Sequence, residues 1–283
     1  MEEISTVADL RARLEPIRAA GGRVGMVGTS GAVHEGHQSL VRASAADNDI
    51  TVMFWGGGAR FDWMNSELQY ERDFDRDRRL VEEAGADALF VPLDSELFPR
   101  APFTQVSLPA MSSGAPGLED PAHLDLIAMV MAKLWNMFGP CRSYFGEKDW
   151  QQLAMYKRMA DDLCWPVEVV GCPTVRHDDG VAVSSRNSQL SPEARAAAPA
   201  LYRALRAARD AVAAGVTSQE RLATCFADAI GDAGRVEYFV AVDAETMAKV
   251  DPLVGEVRML ASMGLGSVRL VDNIGVTVAG GGS

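Results

Sequence analysis

Short apolar runs alternate with longer amphipathic stretches through the first 175 or so residues of the chain. The apolar runs predict strands at residues 25–27, 50–55, 88–91 and 167–170. The amphipathic stretches predict helices at residues 35–46, 76–84 and 149–163. This alternation is typical of βαβ units with a parallel sheet, whose ligands bind beyond the carboxyl ends of the strands. We therefore expect the functional loops to follow residues 27, 55 and 170.

The pattern changes after about residue 175. Ser191-Pro192-Glu193 is typical of a helix start, because it joins an N-cap serine to a proline and an acidic first turn. This helix is predicted to reach about Ala214, and a second helix is predicted near residues 218–230. Strands are predicted near residues 236–242, 257–260 and 268–271. The chain is thus expected to be an α/β protein with a larger domain at 1–174 and a smaller α+β domain at 175–283.

Composition and charge reduce the number of functions that the chain could have. Of the 283 residues 48% are hydrophobic and 23% are charged, which excludes a disordered chain. The 39 acidic and 27 basic residues give a net charge of -12, so binding to nucleic acid or to a membrane is not expected. The four cysteines form no C-x-x-C pair, and the acidic N-terminus carries no signal pattern. We expect a cytoplasmic protein.

The first candidate for chemistry is the segment from Gly28 to His37, directly after a predicted strand. His34 and His37 flank Gly36 at the start of a predicted helix, where free N–H groups and the helix dipole favour phosphate. Gly36 would let a flat ligand approach the backbone. An ordinary strand-to-helix turn with solvent-facing histidines remains the alternative. A metal site is less favoured because no third ligand is nearby.

Two further segments carry cations. Tyr144 to Gln152 contains Lys148 before a predicted helix, which suits contact with a phosphate, although for the segment taken alone a charged helix cap is the favoured explanation. The segment Val183 to Ser188 joins paired hydroxyls to Arg186, either as an anion-binding loop or as a common polar turn.

Taken together and in this order, the three segments resemble the pantothenate synthetase (pantoate–β-alanine ligase) family of the nucleotidyltransferase superfamily. The H-x-G-H motif of the superfamily is similar to residues 34–37, and the family motif G-E-K-D-[YFW]-Q-Q-L is similar to residues 146–153. The motifs S-S-R-N, P-T-V-R-x-x-D-G and R-L-I-D-N are similar to residues 184–187, 173–180 and 269–273. The resemblance covers essentially the whole chain.

The resemblance implies a Rossmann-like first domain, a small lid domain and a homodimer. It also implies that ATP and Mg²⁺ are used to form an acyl-adenylate from a carboxylic acid, which an amine then converts into an amide. By the same resemblance the catalytic residues are His34, His37, Lys148 and Arg186. The expected nucleotide-binding residues are Thr29, Ser30, Gly36, Gly146, Asp149, Thr174, Val175, Val183, Ser184 and Ser185. Asp77 is expected near the metal.

The chain departs from the family pattern where the acid is expected. The expected substrate-binding positions are Arg60, Tyr70, Asp120, His123 and Gln152. Arg60 stands where the family has a glutamine that helps hold pantoate, and Asp120 stands where the family has an arginine. A buried guanidinium needs an anionic partner, so Arg60 is expected either to meet a different acid or to pair with Asp120.

These departures favour a ligase for a substrate unlike pantoate, β-alanine or both. Three alternatives stay open. The first is a genuine pantothenate synthetase with a tolerant pocket, and the second is a nucleotidyltransferase that adenylates a small acceptor. The third is a catalytically silent nucleotide-binding protein, which the retained cations and histidines disfavour.

Overall fold

The computed structural model describes residues 1–56, 73–100, 102–112 and 120–278. The chain divides into two compact units, and each is described by itself. The first unit comprises Met1–Leu108, Pro121–Glu147 and Met155–Pro173. The second comprises Pro109–Asp120, Lys148–Ala154 and Thr174–Ser283. Two short segments that precede residue 174 in the sequence thus belong to the second unit.

The first unit is built on a six-stranded parallel sheet. Its strands are β1 (Glu2–Ile4), β2 (Val24–Thr29), β3 (Ile50–Trp55), β4 (Ala88–Phe90), β5 (Cys141–Gly146) and β6 (Val167–Cys172). Their order in the sheet is β1-β4-β3-β2-β5-β6, and each neighbouring pair is parallel. Every residue of β3 is buried, as is usual for a strand covered on both faces.

Helices accompany this sheet along the chain. They are α1 (Val7–Ala19), α2 (Glu35–Asp47), α3 (Phe74–Glu83), α4 (Asp94–Leu97), α5 (Pro109–Ser112), α6 (Pro121–Phe138) and α7 (Trp150–Asp162). The short helix α5 and the first turn of α7 belong to the second unit. Within the described part of the chain, no helix combines the length and apolar character that crossing a membrane would require.

The second unit packs helices against a small antiparallel sheet. Its helices are α8 (Pro192–Ala197), α9 (Pro199–Ala213) and α10 (Gln219–Ile230), and its strands are β7 (Arg235–Asp243), β8 (Gly255–Leu265) and β9 (Val268–Val278). The strand order is β7-β8-β9. Leu205, Phe226 and Met259 are fully buried in a core that the helices and the sheet share.

The expected α/β fold class is confirmed, with a parallel sheet and a second, smaller α+β unit. One predicted helix, from Ser191 to about Ala214, is in fact the pair α8 and α9. The division falls at Pro199, which has no N–H to continue the hydrogen bonding of α8.

Candidate active site

The strand order predicts a ligand site at the carboxyl end of β2. From β2 the chain proceeds through β3 and β4 on one side, whereas β5 and β6 lie on the other. The order therefore reverses between β2 and β5, which is where open parallel sheets bind their ligands. Thr29 ends β2 and Gly146 ends β5, so these two predicted nucleotide-binding residues lie at the carboxyl ends of the neighbouring strands where the order reverses.

The two histidines of the H-x-G-H segment lie together at the start of α2. His34 is the N-cap of this helix and His37 lies in its first turn. Their rings stack with centroids 4.0 Å apart at an interplanar angle of 27°. Gly36, between them, and Ser30, in the preceding loop, are both partly exposed. The structure thus brings these four predicted residues to one helix N-terminus.

The hydrogen bonds of His37 indicate which of its nitrogens carries the proton. Nδ1 of His37 accepts the backbone N–H of His34 at 3.4 Å, which requires a lone pair on Nδ1. In the neutral ring the proton therefore sits on Nε2, 3.3 Å from Oγ1 of Thr29. That hydroxyl also accepts the N–H of Gly31 at 3.1 Å. His37 is thus oriented to offer an Nε2–H donor beside the end of β2.

Asp77 occupies a different environment from the one expected of a metal ligand. Its side chain, in the first turn of α3, is fully buried. Oδ1 accepts the N–H of Val33 at 2.8 Å and Oδ2 accepts the indole N–H of Trp55 at 3.0 Å. The described residues contain no group of three metal-ligating side chains. Because both oxygens are engaged away from solvent, the carboxylate does not fit a Mg²⁺ ligand.

A basic pocket lies in the second unit. Lys148, Ser184, Arg186 and Arg269 are among the residues that line it. The side chain of Lys148 is only 17% exposed, and its ammonium lies 3.2 Å from a carboxylate oxygen of Asp149. Two predicted catalytic cations and one predicted nucleotide-binding serine therefore share a single pocket, whose cations suit a polyanionic ligand.

A partly buried ion pair joins Arg176 to Asp272, which is one of the residues that line this pocket. The Arg176 guanidinium binds Asp272 through two hydrogen bonds of 2.6 and 2.9 Å, and it lies 3.7 Å from the ring centre of Tyr202. It also donates to the carbonyl of Gly180 at 3.1 Å. The first hydrogen bond joins residues 96 positions apart, so it ties the turn before the Ser184–Asn187 segment to strand β9.

Asn273, next to Asp272, holds the backbone of Lys148. Its amide donates to the carbonyl of Lys148 at 2.7 Å, and its amide oxygen accepts from Arg258 at 2.6 Å. The guanidinium of Arg258 in turn lies 3.5 Å from the ring centre of Trp150, whose indole N–H donates to the carbonyl of Ala244. The last strand of the chain thereby fixes the segment that carries Lys148.

The remaining predicted nucleotide-binding residues lie in the second unit. Val175 and Val183 are joined by a backbone hydrogen bond of 2.9 Å. Ser184 caps the short helix Ser185–Gln189 by accepting the N–H of Arg186. Thr174 and Ser185 are partly exposed, whereas Asp149 is exposed. Thr174, Val175, Val183, Ser184 and Ser185 thus belong to the same stretch of chain as Arg186, whereas Asp149 ends the short helix Glu147–Asp149 before α7.

The residues expected to bind the acid are only partly described. Arg60 and Tyr70 lie outside the described residues, and so does any pairing of Arg60 with Asp120. Asp120 is exposed just before α6, and His123 is partly buried in the first turn of that helix. Gln152 is partly exposed on α7, while its buried neighbour Gln151 donates to the carbonyl of Met111 at 3.2 Å.

Sequence reasoning assigned no function to several residues that support the site. Arg176, Asp272 and Asn273 lie inside segments that match family motifs, but their partners are far away along the chain. The opposite charges of Arg176 and Asp272 in two separate motifs were the available signal. Arg269 opens the segment that matches the R-L-I-D-N motif, and it adds a third cation to the pocket lining.

The parallel sheet, the helix-borne histidines and the basic pocket define a protein with a nucleotidyltransferase-type fold. Comparison with known proteins agrees. The crystal structure of pantothenate synthetase from Thermus thermophilus superposes with a TM-score of 0.85 at 39% identity, covering 97% of this chain and 99% of that one.

Sequence comparisons identify the family. The profile of the pantoate-beta-alanine ligase family matches residues 2–275. Pantothenate synthetase 1 of Frankia alni is 46% identical over 281 residues, covering 96% of this chain and 97% of that protein. Pantothenate synthetase of Cereibacter sphaeroides is 44% identical over 276 residues, covering 96% and 99%. The chain belongs to the pantoate-beta-alanine ligase family, and it is an ATP-dependent amide-forming ligase that releases AMP and pyrophosphate.

Proposed function

We propose that this ligase condenses pantoate with β-alanine to form pantothenate. The observation that carries the proposal is the match to this family over nearly the whole chain, together with pantothenate synthetases 46% and 44% identical to it. These findings favour the genuine synthetase over a ligase for an unlike substrate, which the departures at Arg60 and Asp120 had favoured.

In the first half of the reaction, a carboxylate oxygen of pantoate attacks the α-phosphorus of ATP. The bond from that phosphorus to the bridging oxygen breaks, and pyrophosphate leaves with the electron pair. Negative charge grows on the α-phosphate and on the leaving group, so fixed donors there lower the barrier. We assign this role to Nε2–H of His37, with Lys148 and Arg186 as cations for the phosphates.

In the second half, the neutral amine of β-alanine attacks the acyl carbon of pantoyl adenylate. The carbon–oxygen bond to AMP breaks, AMP leaves with the electron pair, and the amine loses a proton as the amide forms. Cations that stabilised pyrophosphate can also stabilise the departing phosphate of AMP.

The nucleotide is proposed to be lined by Thr29, Gly146, Ser184 and the Val175–Val183 pair.

Mg²⁺ is proposed to enter as part of the substrate, bound to the phosphates of ATP. Mg²⁺ usually keeps several waters and takes few protein ligands in phosphate-transfer sites. This assignment requires no carboxylate of the protein, which agrees with the engaged oxygens of Asp77.

We further propose a cytoplasmic homodimer. All four cysteines are free thiols, which suits a reducing compartment. The dimer is supported by the family alone.

The test is acid-dependent exchange of labelled pyrophosphate into ATP, followed by AMP release on addition of β-alanine. We expect pantoate to support exchange better than other small hydroxy, amino and dicarboxylic acids. A different acid with a kcat/KM at least about tenfold higher would contradict the proposal, since one altered pocket contact is worth that much.

One sequence observation favours a second candidate, a ligase for a more anionic acid. Arg60 replaces a neutral glutamine with a cation that has five donors and no acceptor. The variant Arg60→Gln, assayed with the same acids, separates the two candidates. A preference that moves toward pantoate in the variant supports the second candidate, whereas an unchanged preference supports genuine pantothenate synthesis.

A further inference from the structure

Asp77 is a buried carboxylate that binds two groups far from it in sequence. It is completely inaccessible to solvent in the first turn of α3, and the N-cap of that helix is Asp73. The backbone N–H of Val33 donates to Oδ1 at 2.8 Å, and the indole N–H of Trp55 donates to Oδ2 at 3.0 Å. A buried carboxylate needs such donors, because an unsatisfied charge away from water is strongly destabilising.

The loop that Asp77 binds has an unusual backbone. Gly31 has φ +101° and Ala32 has φ +54°, so two consecutive residues are left-handed just before Val33. The left-handed conformation is strained for alanine, and such strain persists only where surrounding contacts impose it. The bond from Val33 to Asp77 is such a contact.

The neighbouring residue Arg76 binds the backbone carbonyl of Val33. Its guanidinium donates to the carbonyl of Val33 at 3.1 Å and lies 3.5 Å from Oδ1 of Asp77. The start of α3 therefore holds both the N–H and the carbonyl of Val33. The next residue is His34, whose backbone N–H in turn orients the ring of His37.

We propose that Asp77 is a positioning residue that fixes the strained loop before α2, and thereby sets the orientation of His34 and His37 in the adenylation step. The proposal rests on the proposed ligase function. It differs from the expected metal role, because both carboxylate oxygens already serve the loop and the indole of Trp55.

The chain offers a variant that isolates this contact. In Asp77→Asn only one side-chain oxygen remains for two donors, so the amide nitrogen faces either Val33 N–H or the indole N–H. We expect kcat for adenylation to fall at least about tenfold while the KM for ATP changes less than about threefold, because orientation acts mainly on the transition state. Asp75→Asn, an exposed change of equal charge in the same turn, should leave kcat unchanged.

A second variant provides a rescue. Trp55→Phe removes the competing donor, so that in Asp77→Asn/Trp55→Phe the remaining oxygen can accept from Val33. We expect the double variant to recover at least about threefold in kcat over Asp77→Asn, since its Val33 hydrogen bond is restored. A merely structural role would lower thermal stability without this pattern in kcat.

These experiments distinguish failure of the Asp77 proposal from failure of the proposed ligase function. Hydrogen exchange of the Val33 amide, followed by NMR without substrate, should be faster in Asp77→Asn than in the parent and slower again in the double variant. An unchanged exchange rate of the Val33 amide in Asp77→Asn would overturn the proposal. So would a loss of kcat that the double variant does not recover. A raised Mg²⁺ requirement in Asp77→Asn would overturn it in favour of metal binding. Inactivity of the parent chain with pantoate would contradict the proposed function only.

Discussion

At the scale of single residues, Lys148 is a partly buried cation with a weak anionic neighbour. Its ammonium lies 3.2 Å from a carboxylate oxygen of Asp149, whose side chain is 46% exposed. Ion pairs of this kind contribute little to stability because solvent screens them. The ammonium can therefore exchange this carboxylate for a phosphate oxygen at little cost.

Removal of this cation should impair adenylation specifically. We expect Lys148→Ala to lower the rate of pyrophosphate exchange by about 10²-fold or more, the usual effect of losing one donor that stabilises transition-state charge. The fold should persist, because no apolar core residue is changed. Pyrophosphate exchange and thermal unfolding of the same preparation measure the two effects.

Lys157→Ala is the matched control, since Lys157 is an exposed lysine further along α7. Its exchange rate should equal that of the parent chain. Equal activity of both variants and the parent would mean that Lys148 has been given the wrong role.

Some residues of the site could be predicted from sequence and others could not, for a physical reason. His34 and His37 lie three positions apart within one helix turn, a spacing that a sequence displays directly. The partners of Asp77 lie 44 and 22 positions away, and they are a backbone amide and an indole rather than a conspicuous motif. Such a contact depends on how the strands and α3 pack, which local sequence does not determine.

At the scale of secondary-structure elements, β9 completes the small sheet and also contacts the segment that carries Lys148. Asn273 is 4% exposed on this strand, and its amide nitrogen holds the carbonyl of Lys148 at 2.7 Å. Its oxygen accepts from Arg258 on the neighbouring strand β8. The strand thus holds the backbone of Lys148, a proposed catalytic residue more than a hundred positions earlier in the sequence.

The variant Asn273→Asp tests this positioning. A carboxylate can still accept from Arg258 but has no donor for the carbonyl of Lys148, so two acceptors would face each other. We expect kcat/KM for ATP to fall about tenfold, in line with one buried group left unsatisfied. Thr277→Val removes an exposed hydrogen bond from the same strand and should leave kcat/KM unchanged. Similar values for Asn273→Asp and Thr277→Val would refute the role of β9.

The elements themselves differ in how well sequence predicts them. Strands β2 and β3 are largely apolar and largely buried, and both were predicted from their apolar runs. Strand β5 was not predicted, because Arg142 and Ser143 interrupt its apolar pattern. Arg142 is accommodated by hydrogen bonds to Glu168 on β6, a pairing that exists only once the sheet has formed.

At the scale of the whole molecule, the second unit contains an apolar core of its own. All of the fully buried apolar side chains in this cluster lie between Val181 and Leu270. Most of them come from α9, α10 and the three antiparallel strands, and the others, Val181, Ala198 and Leu253, lie in segments between elements. The short segment Lys148–Ala154 adds Trp150 and the Lys148 backbone to this unit but contributes nothing to that cluster.

A fragment of residues 174–283 should therefore fold by itself. We expect a cooperative thermal transition with mixed helical and strand circular dichroism, because burial of the apolar cluster is the main source of stability. Phe226→Ala, which empties a fully buried position, should lower the free energy of unfolding by about 3–5 kcal/mol. A broad transition that Phe226→Ala does not shift would contradict an independent core.

The same fragment separates folding from function. It keeps Arg186 and the Arg176–Asp272 pair. It lacks Lys148, Thr29 and the two histidines of the H-x-G-H segment. Ligands stabilise a protein only as far as the folded state binds them, so ATP should raise the melting temperature of the full chain but not of the fragment. A similar rise in both would mean that the pocket around Arg186 suffices for nucleotide binding, and the roles given to Lys148 and the histidines in binding would then have to be withdrawn.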